Sequence, residues 1–198
     1  MTIRLADLDW PRRTARLELR PARPEDAAEV WGWCRRPEVV EYMTGSPADA
    51  EEHRRDWEDR LERTVVGLRE GRIIATGKVE RQDAWSQQEM REQAKGTQAE
   101  LGWMLDPDVH GRGYGTEFAA ALLDIAFDGL GVRRVEAACF APNRASARIM
   151  EKIGMRREGY YREESLHRSG RWVDAISCAM LASEHAEARS RGNVLPVQ

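Results

Sequence analysis

The residues best placed to do chemistry lie between positions 99 and 127, where the chain reads AELGWMLDPDVHGRGYGTEFAAALLDIAF. Ala99, Leu101, Gly102, Trp103, Met104 and Leu105 form an apolar run of strand length. Asp106-Pro107 stops it, because proline cannot donate to a ladder and restricts the residue before it. His110-Gly111-Arg112-Gly113-Tyr114-Gly115 then sets three glycines at alternate positions, and Phe118, Leu122 and Ile125 follow at helical spacing. Strand, glycine turn and helix together make an anion site. The glycines let the backbone curl with its N–H groups inward, and the first helical turn adds unpaired N–H groups at the positive end of the dipole. Glu100 is an acid in the otherwise apolar run, on one face with Gly102 and Met104 at period two. A lone buried carboxylate is costly, and desolvation draws it toward the working range of a general base; a wet strand end or pairing with a neighbouring arginine is the alternative.

Three phosphate-binding designs compete for the glycine turn. A nucleotide-triphosphate loop needs Lys-Ser or Lys-Thr after its glycines, and neither is present. A dinucleotide fold needs G-x-G-x-x-G directly after its strand and an acid about 20 residues on. Here the spacing is G-x-G-x-G, and Glu136 at that distance lies inside the run Arg134–Phe140, not at its C-terminal end. The third design fits: His110-Gly111-Arg112-Gly113-Tyr114-Gly115 resembles the [Q/R]-x-x-G-x-[G/A] pyrophosphate arm of the GCN5-related N-acetyltransferases, with His110 departing at the first position. Backbone N–H groups do most of that binding, so the departure removes one side-chain contact. Asn143-Arg144-Ala145-Ser146 followed by Glu151-Lys152-Ile153-Gly154-Met155 is similar to the family's second landmark, in the branch of the ribosomal-protein-alanine N-acetyltransferases (RimJ/RimL-like).

The elements that must position these residues can be read in order. Arg16–Arg20 alternates as a strand, and Ala27, Val30, Trp31 and Cys34 stripe a helix closed by Pro37. Tyr42 to Pro47 is a loop, and Ala50, Trp57 and Leu61 mark a charged helix. Val65–Glu80 reads as a hairpin turning at Glu70-Gly71. A polar segment, 82–98, follows, expected to be a surface helix without chemical role. After the central stretch come a strand over 133–140, a helix opened by Asn143 and stopped by Gly154, and strands over 155–162 and 172–181. Gly102 suggests a bulge or a close backbone approach. The chain is expected to be one domain over 1–198, with a core at 14–182 and a frayed tail at 183–198.

Composition excludes other classes. A net charge of -3 and no basic run give no case for nucleic-acid binding. Cys34, Cys139 and Cys178 form no metal-like pair, so no metal is expected. The N-terminus has no apolar leader and no run spans a bilayer, which leads to the expectation of a cytoplasmic protein without a membrane partner.

The resemblance covers roughly 14–182 and implies an α/β (α+β) fold. Its mixed, mostly antiparallel sheet would have about seven strands, flanked by about four helices. Acetyl-CoA would lie where the fourth and fifth expected strands, 99–105 and 133–140, splay apart. It implies cofactor contacts from Trp103, Met104 and Leu105 to the pantetheine arm, from His110 through Thr116 to the pyrophosphate, and from Asn143 and Ser146. The reaction would be direct attack of a primary amine on the thioester. An alkylammonium of pKa ~10.4 loses its proton at pH 7 at a cost of about 4 to 5 kcal/mol, so a base is needed, with Glu100 the candidate. A backbone N–H near Met104 would meet the oxyanion. Many relatives place a Tyr acid seven residues after the Asn; here that position is Met150, and Ser146 would hydrogen-bond the leaving sulfur instead. Tyr42, Met43 and Trp172 are expected to wall the acceptor site, with Tyr160-Tyr161 beside them, and His110 and His167 are read as surface or loop residues. The acceptor is a peptide or small-molecule amine, and a homodimer is the expectation carried over from the family. A non-catalytic acyl-CoA-binding module and a nucleotide-binding oxidoreductase are the two rivals.

Overall fold

A computed structural model describes residues 3–191. Its strands are β1 (Arg12–Arg13), β2 (Glu18–Pro21), β3 (Thr64–Arg69), β4 (Arg72–Gln82), β5 (Gln98–Leu105), β6 (Arg134–Phe140), β7 (Arg156–Leu166) and β8 (Trp172–Leu181). They form one eight-stranded sheet in the order β1-β2-β3-β4-β5-β6-β8-β7. The helices are α1 (Asp26–Cys34), α2 (Pro37–Val40), α3 (Ala50–Glu58), α4 (Arg91–Ala94), α5 (Tyr114–Asp124), α6 (Arg144–Lys152) and α7 (Ala182–Ser190). The class matches the expectation, while the strand count exceeds the expected seven because Arg12–Arg13 pairs antiparallel with β2. Two residues are too few for a periodic signal.

Every pairing is antiparallel except β5 with β6, and that pairing is short. It joins Gln98 to Arg134, Ala99 to Val135 and Glu100 to Glu136, and then stops. Beyond Glu100, β5 continues to Leu105 against β4 alone, while β6 continues to Phe140 against β8. The sheet therefore forks at Glu100, and the outer edge of Leu101–Leu105 has no strand beside it.

Gly102 was expected to mark a bulge or a close backbone approach, and there is no bulge. β4 and β5 keep unbroken register through Gly102 opposite Lys78, and a side chain at position 102 would meet nothing nearer than 3.8 Å. The fork arises from β6 turning away, with β5 itself regular.

The core lies on both faces of the sheet. On one face Leu101, Phe118, Leu122, Ile125, Val135 and Met150 pack with α5 and α6. α5 sits close because Gly77 leaves room: a Cβ there would fall 2.5 Å from Leu122 Cδ1. On the other face Val30, Trp33, Trp57, Val66 and Ile73 pack beneath α1 and α3, with Met104 against them.

Three further expectations are corrected. The tail was expected to fray from 183, but α7 is ordered through Ser190 because His185 is buried and bonded to Asp124, Nε2 to Oδ1 2.8 Å; positions 192–198 lie outside the described residues. β7 runs to Leu166, past the expected 162, since Ser165 and Leu166 regain register with Val173 and Trp172 after an irregularity. Pro37–Val40 forms a short helix where a helix end was read, with Pro37 in the first turn, where its missing N–H costs nothing. Segment 82–98 is a surface excursion with Trp85 fully exposed. It is closed by Ala84 N–H to Ala94 O and Gly96 N–H to Asp83 Oδ1. Among the described residues no helix is long and apolar enough to cross a membrane.

Candidate active site

A cleft of about 760 Å³ occupies the fork. Its floor is the free edge of β5, from Glu100 to Leu105, and its far wall is Ala137–Phe140 of β6. The first turns of α5 and α6 line the cleft as well, and so do Glu38 and Tyr42–Thr44. A strand edge with nothing beside it carries backbone donors and acceptors that need partners, and an amide-rich chain can satisfy them as an added strand does.

The α5 end is built to take an anion. Gly113 caps the helix at φ 83°, a left-handed conformation that strains any residue with a Cβ, and Gly111 has φ 74°. Tyr114, Gly115 and Thr116 follow in the first turn, where N–H groups lack helical partners. The turn is braced from outside by Arg16. Its Nη1 donates to Arg112 O at 2.9 Å, its Nε to Glu117 Oε2 at 2.6 Å, and its guanidinium lies 4.3 Å from the centre of the Tyr114 ring. Glu117 is buried and also accepts from Thr14 Oγ1 (2.6 Å) and Arg16 N–H (2.8 Å). This brace joins residues a hundred positions apart, so no local spacing signals it.

α6 supplies the cations. Asn143 caps the helix, its Oδ1 accepting from Ser146 N–H at 3.1 Å. Asn143, Ser146, Arg148 and Lys152 all line the cleft. Among the described residues neither Arg148 nor Lys152 makes an ion pair, so two uncompensated charges face the space beside the glycine turn. Sequence reasoning missed them, although Arg144, Arg148 and Lys152 recur every fourth residue on one helix face.

Of the residues expected to contact a cofactor, Trp103, Met104, Leu105, His110, Gly111, Gly113, Tyr114, Gly115, Thr116, Asn143 and Ser146 line the cleft. Arg112 does not; it is exposed, and its ordered contact is the carbonyl held by Arg16. Tyr42 and Met43 also line the cleft, with Tyr42 beside Phe140. Trp172 is 60% exposed and does not line the cleft, although Ser165 and Ala175 of the same hairpin do; three residues from Ala175, it falls on the opposite face of β8. Tyr160 and Tyr161 also lie outside it, bonded to Asp174 and Ser177.

Glu100 sits on the cleft floor at the point of the fork, but it is not the lone desolvated carboxylate the sequence suggested. Lys78 Nζ lies 2.6 Å from its Oε1 and Gln82 Nε2 donates to its Oε2 at 3.0 Å. The partner is a lysine from the neighbouring strand, not an arginine, and Lys78 itself faces the cleft. Met150 is fully buried in the core; a tyrosine's position in relatives is here an apolar contact, which leaves Ser146 as the hydroxyl on α6 that lines the cleft. Cys139 lies beside it, and burial pushes its thiol up to about 11, against a smaller opposing hydrogen bond from Ser146.

His167, read as a loop histidine, ties the β7–β8 turn to the Glu41–Met43 loop. Its Nε2 lies 2.9 Å from Glu41 O, and Arg168 Nη2 donates to Met43 O at 2.7 Å. Tyr42, Phe140 and His167 cluster there, ring centres 5.8 to 6.3 Å apart. Away from the cleft, Asp124, Asp128 and His185 lie close enough to share a cation, but Arg189 pairs with Asp128 there.

Comparison with known proteins agrees with this geometry. The model of the acetyltransferase (GNAT) domain matches residues 16–156. The uncharacterised N-acetyltransferase YnaD of Bacillus subtilis (strain 168) is 36% identical over 85 residues, 43% of this chain and 49% of YnaD, so the match spans about half that relative's length. A GNAT-family acetyltransferase from Bacillus anthracis overlays with a TM-score of 0.74 at 25% identity, covering 88% of this chain and 100% of that one. The spermidine N-acetyltransferase of Vibrio cholerae, solved with CoA and spermine, overlays with a TM-score of 0.71 at 17% identity, over 87% of this chain and 99% of that one. Such likeness carries the fold only. The forked sheet, the glycine turn and the matched domain agree, and the chain belongs to the GNAT acetyltransferase family.

Proposed function

We propose that this protein transfers the acetyl group of acetyl-CoA to a primary amine, with the two substrates meeting at the fork between β5 and β6. The observation that carries the reading is the free edge of Leu101–Leu105 running from the glycine turn to Glu100. In this reading the pyrophosphate rests on the N–H groups of Gly111 through Thr116, with Arg148 and Lys152 adding charge. The pantetheine amides bond along Trp103, Met104 and Leu105, which places the thioester near the fork. Bound acetyl-CoA would supply the activated acetyl group.

The amine enters from the side of Tyr42 and Met43. Glu100 accepts its proton, directly or through water, while Lys78 and Gln82 fix the carboxylate's position. Nitrogen attacks the carbonyl carbon, the oxyanion is met by a backbone N–H near Met104, and the C–S bond breaks as the carbonyl reforms. Ser146 donates a hydrogen bond to the departing sulfur. The Asn143–Met155 phrase supports the ribosomal-protein branch, whose acceptors are protein N-termini. The non-catalytic rival rests on Met150, and in the catalytic reading Ser146 takes the place of the missing tyrosine.

The test is release of CoA thiol from acetyl-CoA on addition of a panel of primary amines. Turnover with at least one amine, lost in Glu100→Gln while acetyl-CoA still binds, supports the reading. Binding without turnover of any amine supports a non-catalytic acyl-CoA module, and binding of NAD in place of acetyl-CoA a nucleotide-binding oxidoreductase.

A further inference from the structure

A second, smaller pocket of about 60 Å³ lies behind the acceptor end of the cleft, beneath the loop Gly45-Ser46-Pro47. Met43 and Met104 line both cavities and form the wall between them. One water needs only ~10–15 Å³ of such space, so the pocket has room for a small polar group.

Its charged wall is of one sign. Arg35 and Arg60 line it, and among the described residues no acid does; His53 also lines it, its imidazole pushed down from its ordinary value by burial and then by the charge of Arg60. Arg60 makes no ion pair among the described residues, and its Nε is buried without a hydrogen-bond partner. Its guanidinium carbon lies 5.5 Å from the centre of the Trp57 ring. Burial pulls the guanidinium down from its ordinary value, opposed chiefly by the charge of Asp56, which stands too far off to pair with it. His53 is 1% exposed, sits between Trp31 and Trp57, and also has a buried ring nitrogen, Nε2, without a partner. Unpaired buried donors are costly and rare, and a planar guanidinium matches a planar carboxylate.

We infer that this pocket receives a carboxylate of the acceptor, so that the acetylated amine belongs to an amino acid or to an acidic residue at a peptide N-terminus. The inference rests on the acetyl-transfer reading of the neighbouring cleft and narrows it. Met43 and Met104 are shared with that cleft, so a carboxylate held in the pocket lies on the side from which the amine enters. A polyamine would place an ammonium against Arg60, and like charges repel.

The test measures CoA release from acetyl-CoA with the twenty amino acids, their amides, the amines lacking the carboxylate, peptides with Asp or Glu first, spermidine and ethanolamine phosphate. The expected result is turnover of a carboxylate-bearing amine with kcat/KM about ten- to a hundredfold above its amide or decarboxylated counterpart, the value of one charge-assisted contact. In Arg60→Gln that preference collapses through KM, and Arg60→Lys restores part of it. The acetyl-CoA-induced rise in Tm, kept in both variants, shows that they fold. Equal turnover of the neutral counterparts, preference for spermidine or ethanolamine phosphate, an unaltered preference in Arg60→Gln, or no turnover of any carboxylate-bearing amine overturns the inference. An unaltered melt of wild-type protein with acetyl-CoA instead overturns the reading on which it rests.

Discussion

Glu100 carries the chemistry proposed here, and its surroundings make its role measurable. Glu100→Gln keeps the size and the contact with Lys78 while removing the proton acceptor; kcat/KM should fall about 10²–10⁴-fold with acetyl-CoA affinity unchanged. A loss confined to acetyl-CoA binding would show that the carboxylate only shapes the cleft. Cys139 gives an independent readout of the same space. With its thiol held at about 11 by burial, it is neutral at pH 7, so alkylation should be slow there, accelerate toward that value, and be blocked by acetyl-CoA. Rapid modification at pH 7, read by mass spectrometry, would contradict the placement. Glu100 was legible from the sequence because one acid in an apolar strand stands out. Its pairing with Lys78 was not, because cross-strand neighbours depend on register, and here Lys78 lies 22 positions earlier. Trp172 lies at the end of the hairpin that reaches the cleft but on the other face from Ala175, and its residue type alone does not say which face that is.

In the proposed site two elements would hold the cofactor, the turn into α5 and the exposed face of α6. Gly113→Val puts a β-branched residue at φ 83° and a Cβ 3.3 Å from Arg16 Nη2. It should weaken acetyl-CoA binding at least about tenfold, ~1.4 kcal/mol. Arg148→Ala with Lys152→Ala should weaken it a further few-fold and flatten its dependence on salt, since each partly exposed charge contributes about 0.2–1 kcal/mol. Calorimetric titration at two ionic strengths reads both; an unaltered salt slope would remove those side chains from the phosphate site. The turn was fully readable because strand, alternating glycines and helix follow one another in the chain. The brace from Arg16 and Glu117 was not, since a hundred residues separate its halves. The fork was implied by family resemblance alone; Gly102 pointed to a bulge, whereas the opening comes from β6 leaving β5 to follow β8.

At the scale of the whole molecule, the last helix and the outer strands hold the sheet around the cleft. His185 and Asp124 are both 2% exposed, so His185→Ala strips a buried carboxylate of its hydrogen-bonding partner. A loss of about 3 kcal/mol, or roughly 6 to 12 °C in Tm for a domain this size, is expected; a change below 2 °C would show that α7 adds little. Glu158 joins β7 to β6 through Arg134, with Arg156 beside it. These hydrogen bonds, Arg134's first, hold its carboxyl down at about 2 from 4.5. The folded state binds this proton less readily than the unfolded chain, so the stabilisation is complete above pH 4.5 and is lost as pH falls toward 2. Melts of Glu158→Gln should therefore depend less on pH across that window than wild type, and an identical slope would place the acid sensitivity elsewhere. The order of the elements was legible from periodicity; the ordered α7 was not, because its anchor is one polar pair instead of an apolar stripe. The most direct test of the central claim is a thermal melt with and without acetyl-CoA, with NAD as control and Gly113→Val alongside. At about 100 times the dissociation constant the ligand should stabilise by roughly 2.7 kcal/mol, raising Tm by about 5 to 10 °C, with acetyl-CoA alone and only weakly in the variant. No shift with acetyl-CoA, or an equal shift with NAD, would contradict the claim that the fork between β5 and β6 is an acetyl-CoA site.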